Sequence, residues 1–266
     1  MDYVNMLREA LPTPGEFPEC YAFSIHKAGS SLMHGMIDSV CAAEKIPGIT
    51  IPDILFSQGV MENEWNDKKE LTGLIKSGIL YFGFRHLPNF LINMGETFRN
   101  RKAVLLVRDP RDALVSMYYS FAGANPSHRR PKKNMKGYLS IRKVYENMAL
   151  EEFVIKTASG YLNKLVTYRE HLNFDNVLVR RYEKIYFDKR TFLKEIFDHF
   201  GISVNAETLN RVSEKYDIRP DVEDPSKHIR KGTPGDHRDK LSPETISKLN
   251  DIFRDIAQFY GYDLDA

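Results

Sequence analysis

The segment 102–107 constrains the fold more than any other part of the chain. It contains the run Ala-Val-Leu-Leu-Val, which lacks the polar alternation of a strand with one face in water. A continuous apolar run of this length predicts a strand buried on both faces, as in a parallel sheet covered by helices. Asp109 and Pro110 then predict the start of a helix that continues to about Ser120, because proline is tolerated in a first turn.

Three further apolar runs predict strands of the same sheet. They span residues 20–25, 79–84 and 177–179. Apolar residues at helical spacing predict helices between and after these strands. The predicted helices cover 32–40, 188–200, 205–216 and 242–260. Strands that alternate with helices indicate an α/β fold, in which helices flank a central parallel sheet.

Composition and charge limit the class of protein. The 266 residues fit one domain over 1–266, with a Pro-rich surface segment at 1–18. Lys and Arg number 38 against 36 for Asp and Glu, and this net charge of +2 argues against an obligate nucleic-acid coat protein. There is no run of about 18 apolar residues that would predict a membrane span, and no signal-peptide core. We therefore expect a cytoplasmic protein without a metal site, in which Cys20 and Cys41 are buried, reduced thiols.

Polar turns follow three of the predicted strands, at 26–31, 85–88 and 108–112. In parallel sheets flanked by helices, ligands bind beyond the carboxyl ends of the strands. We therefore expect these three turns to converge on one site.

The turn after the first strand has the composition of an anion-binding loop. Ala28 and Gly29 would let the backbone approach an anion closely, and Lys27 adds a positive charge. Ser30 and Ser31 add hydroxyl donors at the start of a helix, where unpaired N–H groups favour phosphate or sulfate. The alternative interpretation is a small-residue helix cap with an incidental lysine.

The turn after the buried strand offers further anion-binding groups. Arg108 ends that strand, and a planar guanidinium donates parallel hydrogen bonds to phosphate. Ser116 lies about two helical turns later and can face back toward the same sheet edge. We interpret Arg111 and Asp112 as a surface or structural pair. The aromatic residues up to Phe121 are interpreted as packing.

The segment 107–119 resembles the 3′-phosphate-binding motif of the sulfotransferases that use 3′-phosphoadenosine 5′-phosphosulfate (PAPS). Its Arg108 and Ser116 keep the separation of the motif's arginine and serine. The segment 24–32 resembles the family's 5′-phosphosulfate loop, TYPKSGTTW, with Leu32 in place of Trp. Its Lys, Gly and hydroxyl positions are occupied by Lys27, Gly29, Ser30 and Ser31, and its Pro position by His26.

Two shorter segments resemble further motifs of this family. Residues 85–88 are similar to THLP, whose histidine is the catalytic base, and this position is His86. Phe84 stands where the family has a lysine. Residues 181–183 are similar to the Tyr-Glu pair whose tyrosine contacts the adenosine, and this position is Tyr182.

A last segment, 230–237, resembles the RKGxxGDW motif, with His237 in place of Trp. The resemblance implies that Arg230, Lys231 and Gly232 close over the 3′-phosphate.

The resemblance implies a three-layer, P-loop-like α/β fold and a sulfotransferase that moves a sulfuryl group from PAPS to a hydroxyl or amine of a small-molecule acceptor. His86 would take the acceptor's proton during in-line transfer, and Lys27 would stabilise charge on the leaving nucleotide. The nucleotide would be held by Lys27, Ala28, Gly29, Ser30, Ser31, Arg108, Ser116, Tyr182, Arg230, Lys231 and Gly232. The product would be 3′-phosphoadenosine 5′-phosphate (PAP), and no metal is required.

Two other functions stay open from the residues themselves. A P-loop-type small-molecule kinase shares the parallel sheet and the anion-binding turn, but its loop GxxxxGK(S/T) places the lysine after the glycine. A non-catalytic nucleotide-binding module would keep the fold without turnover. The connector 122–148, which has seven Lys or Arg residues between Gly123 and Lys143 and no acid, is predicted to be either a solvated loop or a basic lid over the acceptor.

Overall fold

The computed structural model describes residues 3–122, 130–219 and 232–264. Five parallel strands form one sheet with the order β2-β3-β1-β4-β5. The strands are β1 (Cys20–Ser24), β2 (Gly48–Ile49), β3 (Leu80–Phe84), β4 (Ala103–Val107) and β5 (Val177–Arg181). The predicted α/β class, a central parallel sheet flanked by helices, is confirmed, as are the four predicted strands.

Helices connect the strands and follow the last of them. They are α1 (Tyr3–Ala10), α2 (Ser30–Glu44), α3 (Ile51–Ser57), α4 (Glu62–Trp65), α5 (Asn89–Ile92), α6 (Glu96–Arg99), α7 (Pro110–Phe121), α8 (Lys136–Tyr145), α9 (Leu150–His171), α10 (Tyr182–Ile185), α11 (Lys189–Phe200), α12 (Ala206–Lys215), α13 (Asp236–Lys240) and α14 (Pro243–Phe259). Two 3₁₀ turns cover Lys69–Leu74 and Phe174–Asn176. None of the described helices combines the length and apolar character needed to cross a membrane.

The hydrophobic core surrounds the three central strands. Every residue of β1, β3 and β4 is buried, so side chains on both faces of the sheet are covered. The rings of Tyr21 and Phe23 stack at 5.7 Å, and Phe98 meets both edge-on. Burying one such aromatic side chain contributes about 1.5–3 kcal/mol, and these contacts fix the sheet whose ends carry the polar turns.

The two segments singled out by their proline and basic content both contain helices that no sequence pattern predicted. Residues 3–18 are exposed or half-buried except for Leu7 of helix α1, which is fully buried. The connector 122–148 contains helix α8, and its residues 123–129 lie outside the described part of the chain. The predicted burial of Cys20 and Cys41 as free thiols is confirmed.

The long helix α9 was not predicted. Its 22 residues carry buried side chains at alternating spacings of four and three, from Val154 through Ala158, Tyr161 and Leu165 to Tyr168. This face packs against α7 and α14 and reaches the turn after β1.

Candidate active site

A cavity of about 280 Å³ lies at the carboxyl ends of β1, β4 and β5. The predicted site residues that line it are Lys27, Gly29, Ser30, Ser31, Arg108, Ser116, Tyr182 and Gly232. Ala28 is fully buried next to this wall. The other lining residues are Leu32, Tyr186, Lys189, Tyr216, Ile218 and Thr233, of which only Leu32 stood at a motif position in the sequence. Arg230 and Lys231 lie outside the described residues.

The loop after β1 forms one wall of the cavity through its backbone. Lys27 and Gly29 both have positive φ, 63° and 85°, which turns the chain sharply before α2. Gly29 is the N-cap of α2 and has no side chain to accept hydrogen bonds from the first N–H groups of that helix. Those N–H groups, with the hydroxyls of Ser30 and Ser31, are donors suited to an anion.

Gly29 is also required by its close approach to Tyr182. A Cβ atom at position 29 would lie 2.6 Å from Cδ2 of that ring. The Tyr182 hydroxyl donates a hydrogen bond of 2.7 Å to the carbonyl oxygen of Gly232. One ring therefore contacts the loop after β1 and the segment after residue 231.

Arg108 presents a buried positive charge to the cavity. Its guanidinium lies 4.6 Å from the centre of the Tyr182 ring and donates to the carbonyl oxygen of Lys27 at 3.1 Å. Burial alone would lower the pKa of Arg108, but the carboxylate of Asp112, whose Oδ2 is 3.8 Å from Nη2, raises it. Nε has no hydrogen-bond partner among the described residues, although the residue is only 8% exposed. A buried unpaired donor is costly, so this atom fits an anionic ligand.

The Tyr-Glu pair joins the ends of β4 and β5. Val107 pairs with Arg181, so Glu183 comes to lie beside Asp109. The Glu183 carboxylate accepts from the backbone N–H of Asp109 at 2.9 Å and from the hydroxyl of Tyr262 at 2.8 Å. This contact fixes the start of α7 and hence the position of Arg108.

Asp112 holds the segment that begins at Gly232 against α7. Its carboxylate accepts from the N–H of Gly235 at 2.6 Å and from the N–H and Nδ1 of His237 at 2.9 and 2.7 Å. Burial alone would raise the pKa of Asp112, but these hydrogen bonds and Arg108 hold it well below its usual range. His237, at the position of the family's Trp, therefore attaches this segment to α7 through Asp112.

The prediction that Arg111 and Asp112 form a surface or structural pair is wrong. The two side chains do not pair with each other, and neither lies on the surface. Both side chains are buried, and Arg111 instead forms an ion pair with Asp109 at 2.8 Å. Arg111 also donates to Asn250 Oδ1 at 2.9 Å and to the carbonyl oxygen of Leu264 at 2.8 Å. It anchors the chain after α14 to α7.

His86 lies in a separate polar cluster at the end of β3. Its Nδ1 is 3.1 Å from Oε2 of Glu62, and its Nε2 is 3.1 Å from Oδ1 of Asn66. The Trp65 ring lies beside it, with 5.2 Å between ring centres. Phe84, where the resembled family has a lysine, is fully buried in β3.

Lys164 of α9 completes this cluster. Its Nζ is 3.2 Å from Oε1 of Glu62 and 3.4 Å from Nδ1 of His26. Burial and the charge of Lys164 lower the pKa of His26 well below its usual range. Burial alone would raise the pKa of Glu62, but the hydrogen bond with His86 and the charge of Lys164 hold it well below its usual range.

Arg85 connects the cluster to the cavity wall. Its Nε donates to the Ser30 hydroxyl at 3.2 Å, and its Nη1 pairs with Asp53 of α3 at 3.2 Å. The sequence pointed to His86 but to neither Glu62 nor Lys164, because both come from elements far away in the chain.

Known proteins resemble this chain in sequence and in fold. The family model described as "Sulfotransferase domain" matches residues 24–262. Sulfotransferase 2A6 of Mus musculus is 25% identical over 185 residues, which cover 64% of this chain and 61% of the relative. Cytosolic sulfotransferase 17 of Arabidopsis thaliana is 23% identical over 201 residues, which cover 66% of this chain and 55% of the relative. The chain thus matches between 55% and 61% of the length of these two relatives.

Solved structures share the fold across nearly the whole chain. Mouse sulfotransferase SULT7A1 complexed with PAP has a TM-score of 0.58 at 18% identity, covering 96% of this chain and 89% of that one. Retinol dehydratase in a complex with retinol and PAP has a TM-score of 0.56 at 16% identity, covering 96% and 84%.

Proposed function

Because the chain belongs to the sulfotransferase domain family, we propose that it transfers the sulfuryl group of PAPS to a hydroxyl or amine of a small-molecule acceptor. The observation that carries the proposal is the cavity after β1, β4 and β5. It combines the N-terminus of α2, the Lys27 loop and the buried Arg108 within one space. These are two groups of anion-binding donors, as a nucleotide with phosphates at both the 5′ and the 3′ position requires.

The residues present fit PAPS on two counts. Arg108 has a buried Nε without a described partner, and Ser116 lines the same cavity from helix α7. Both are therefore available to a 3′-phosphate. The α2 N–H groups and the hydroxyls of Ser30 and Ser31 suit the 5′-phosphosulfate. PAP is the ligand of the mouse sulfotransferase and retinol dehydratase structures that share this fold. Tyr182 would contact the adenosine, and Gly232 would close over the 3′-phosphate.

The transfer step is assigned to residues on two turns. The acceptor oxygen or nitrogen attacks sulfur as its proton passes to His86, and the bond from sulfur to the bridging oxygen breaks. Lys27 would stabilise the charge that builds on the leaving nucleotide. The acceptor would enter beside Trp65, on the side of His86. Retinol dehydratase is known with retinol and with androsterone, and an apolar alcohol is therefore a first acceptor to test here.

The proposal is tested by incubating the protein with PAPS and a panel of phenols, alcohols, sugars and amines, with release of PAP as the measurement. We expect PAP release that depends on one class of acceptor and is lost in Lys27→Ala. Calorimetry that compares the affinities for PAP and ATP distinguishes a sulfotransferase from a kinase. We expect tight binding of PAP and weak binding of ATP. Preference for ATP, or PAP binding without turnover on any acceptor, would favour the kinase or the non-catalytic module.

A further inference from the structure

The ring of His86 is held between two hydrogen-bond acceptors. Nδ1 faces the Glu62 carboxylate, and Nε2 faces Oδ1 of Asn66, each at 3.1 Å. The orientation of the Asn66 amide is set by Asn89, whose backbone N–H donates to the same Oδ1 at 3.2 Å. Neither neighbour can therefore donate a hydrogen bond to the ring, so each contact is a hydrogen bond only when the ring nitrogen that faces it carries a proton.

Glu62 is an acceptor that keeps its negative charge. Lys164 contacts one carboxylate oxygen and His86 the other, and the pKa of Glu62 is held well below its usual range. So strongly acidic a carboxyl is a poor base for an acceptor hydroxyl. Its place beside Nδ1 is instead that of a group which orients an imidazole and stabilises its charge.

We propose that Glu62 is a positioning residue that keeps a proton on Nδ1 of His86, so that Nε2 is the nitrogen that takes the acceptor's proton. The inference rests on the proposed function, in which His86 is the base. Both hydrogen bonds of the ring are satisfied only when each nitrogen carries a proton, and this is the state of His86 after proton transfer. Glu62 and Asn66 thus favour the product of that step over the neutral ring.

The step balances without another reactant. The proton of the acceptor O–H or N–H moves to Nε2 as the acceptor atom bonds to sulfur. The bond from sulfur to the bridging oxygen breaks, and PAP leaves with that electron pair. Glu62 takes no proton and changes no bond; it stays ionised throughout.

Several charged groups from other elements face the pair. Lys164 of α9 contacts Glu62, and His26, on the loop after β1, lies near both Lys164 and His86. Arg85, next to His86 in the chain, also acts on His26. The positive charge of Lys164 explains why Glu62 stays ionised although the apolar ring of Trp65 lies beside the neighbouring His86.

The first experiment compares Glu62→Gln and Glu62→Ala with the matched control Glu64→Gln, which alters an exposed carboxylate on the same helix. The expected kcat falls about 10- to 100-fold in Glu62→Ala, less than the roughly 10²- to 10⁴-fold contribution of a general base, because Glu62 only positions that base. Glu62→Gln keeps an oxygen that can accept from Nδ1 and should fall less. The KM for PAPS stays within about twofold of wild type, since Glu62 does not line the nucleotide cavity.

The second experiment locates the ring proton without requiring turnover. Nitrogen-15 NMR of His86 should show Nδ1 protonated in the wild type. In Glu62→Ala the proton should move to Nε2, where Asn66 Oδ1 is the remaining acceptor. A kcat within twofold of Glu64→Gln, or an unchanged ring proton in Glu62→Ala, would overturn the proposal. If the wild type shows no transfer from PAPS, the proposed function fails, while the NMR result still decides whether Glu62 sets the protonation of His86.

Discussion

The cavity at the ends of β1, β4 and β5 and the His86 cluster are built in different ways from the same sheet. The cavity is lined by residues that follow β1, β4 and β5 directly, so short motifs along the chain describe most of it. The His86 cluster takes only His86 from a strand end, and draws Glu62 from α4 and Lys164 from α9. Backbone geometry positions the anion-binding donors of the first region, whereas in the second region side chains from distant elements surround one imidazole ring.

This difference separates two kinds of failure. A change in the cavity should weaken nucleotide binding or loosen the segment 232–240 that Asp112 holds against α7, whereas a change in the cluster should slow transfer and leave binding intact. Arg85 links the cavity to the His86 cluster, because it precedes His86 in the chain and its guanidinium contacts Ser30 in the cavity wall. Four substitutions test how far the separation holds.

The largest expected effect is that of His86→Ala on turnover. We expect kcat to fall by about 10²- to 10⁴-fold, the contribution of a general base. The affinity for PAP measured by calorimetry should stay within about twofold of wild type, since His86 does not line the cavity. Near-normal transfer would remove His86 from its role, and a parallel loss of PAP affinity would show that the two regions are not separable.

Asp112→Ala should give the largest loss of stability. The substitution leaves two backbone N–H groups and His237 without their acceptor and removes the carboxylate nearest to Arg108. Breaking a buried charged pair from one side costs about 3–5 kcal/mol. Urea unfolding should report this loss, while the control Asp251→Ala, on the exposed face of α14, changes little. An equal loss of stability in both variants would mean that Asp112 does not hold the segment 232–240 against α7.

Arg108→Ala should weaken binding in the cavity. The free energy of PAP binding should fall by about 1.5–3 kcal/mol, the range for a hydrogen bond to a charged group. Arg108→Lys keeps the charge but not the planar fork, so it should recover only part of that loss. Calorimetry that finds wild-type affinity in Arg108→Ala would undo the 3′-phosphate assignment.

The smallest effect concerns His34 of α2, the helix that begins at the cavity. Neither ring nitrogen has a partner among the described residues, and burial, with a smaller effect of Arg85, lowers the pKa of His34 well below its usual range. Only the unfolded chain then takes up a proton near pH 6.5, so the stability present above that pH is lost as pH falls. Between pH 7.5 and 5.5 the loss is about 1.4 kcal/mol. Urea unfolding of His34→Leu should show a smaller acid loss than wild type; an equal loss would contradict the assignment.

The sequence predicted the parts of the fold that local pattern controls. Four strands were recognised because continuous apolar runs mark strands buried on both faces, and α7 because Pro110 marks a first turn. The two-residue strand β2 is too short for any pattern. Helix α9 was missed although its buried face is regular, because polar residues such as Lys156 and Lys164 fill the positions between the buried ones and lower the apolar content of the segment.

The same limit applies to the site. Lys27, Gly29 and Arg108 stand in motifs next to strand ends, and the parallel register alone brings them to one cavity. Glu62 and Lys164 carry no local signal, since an acid and a lysine on helices usually face water. Their roles follow only from the packing of α4 and α9 around the turn after β1. Asp112 pairs with Arg108 and not with Arg111, because the side chains of adjacent helical residues point in different directions whereas residues four apart share a face.

Strand β1 lies at the centre of the sheet, between β3 and β4, yet the ribosome makes it before either neighbour. Its five residues are fully buried in the finished sheet, so a nascent chain exposes them until residues 80–107 have followed. At about 5–20 residues per second, this interval lasts several seconds. Apolar edges exposed for that long favour aggregation, so yield on expression should respond to translation speed between residues 25 and 107.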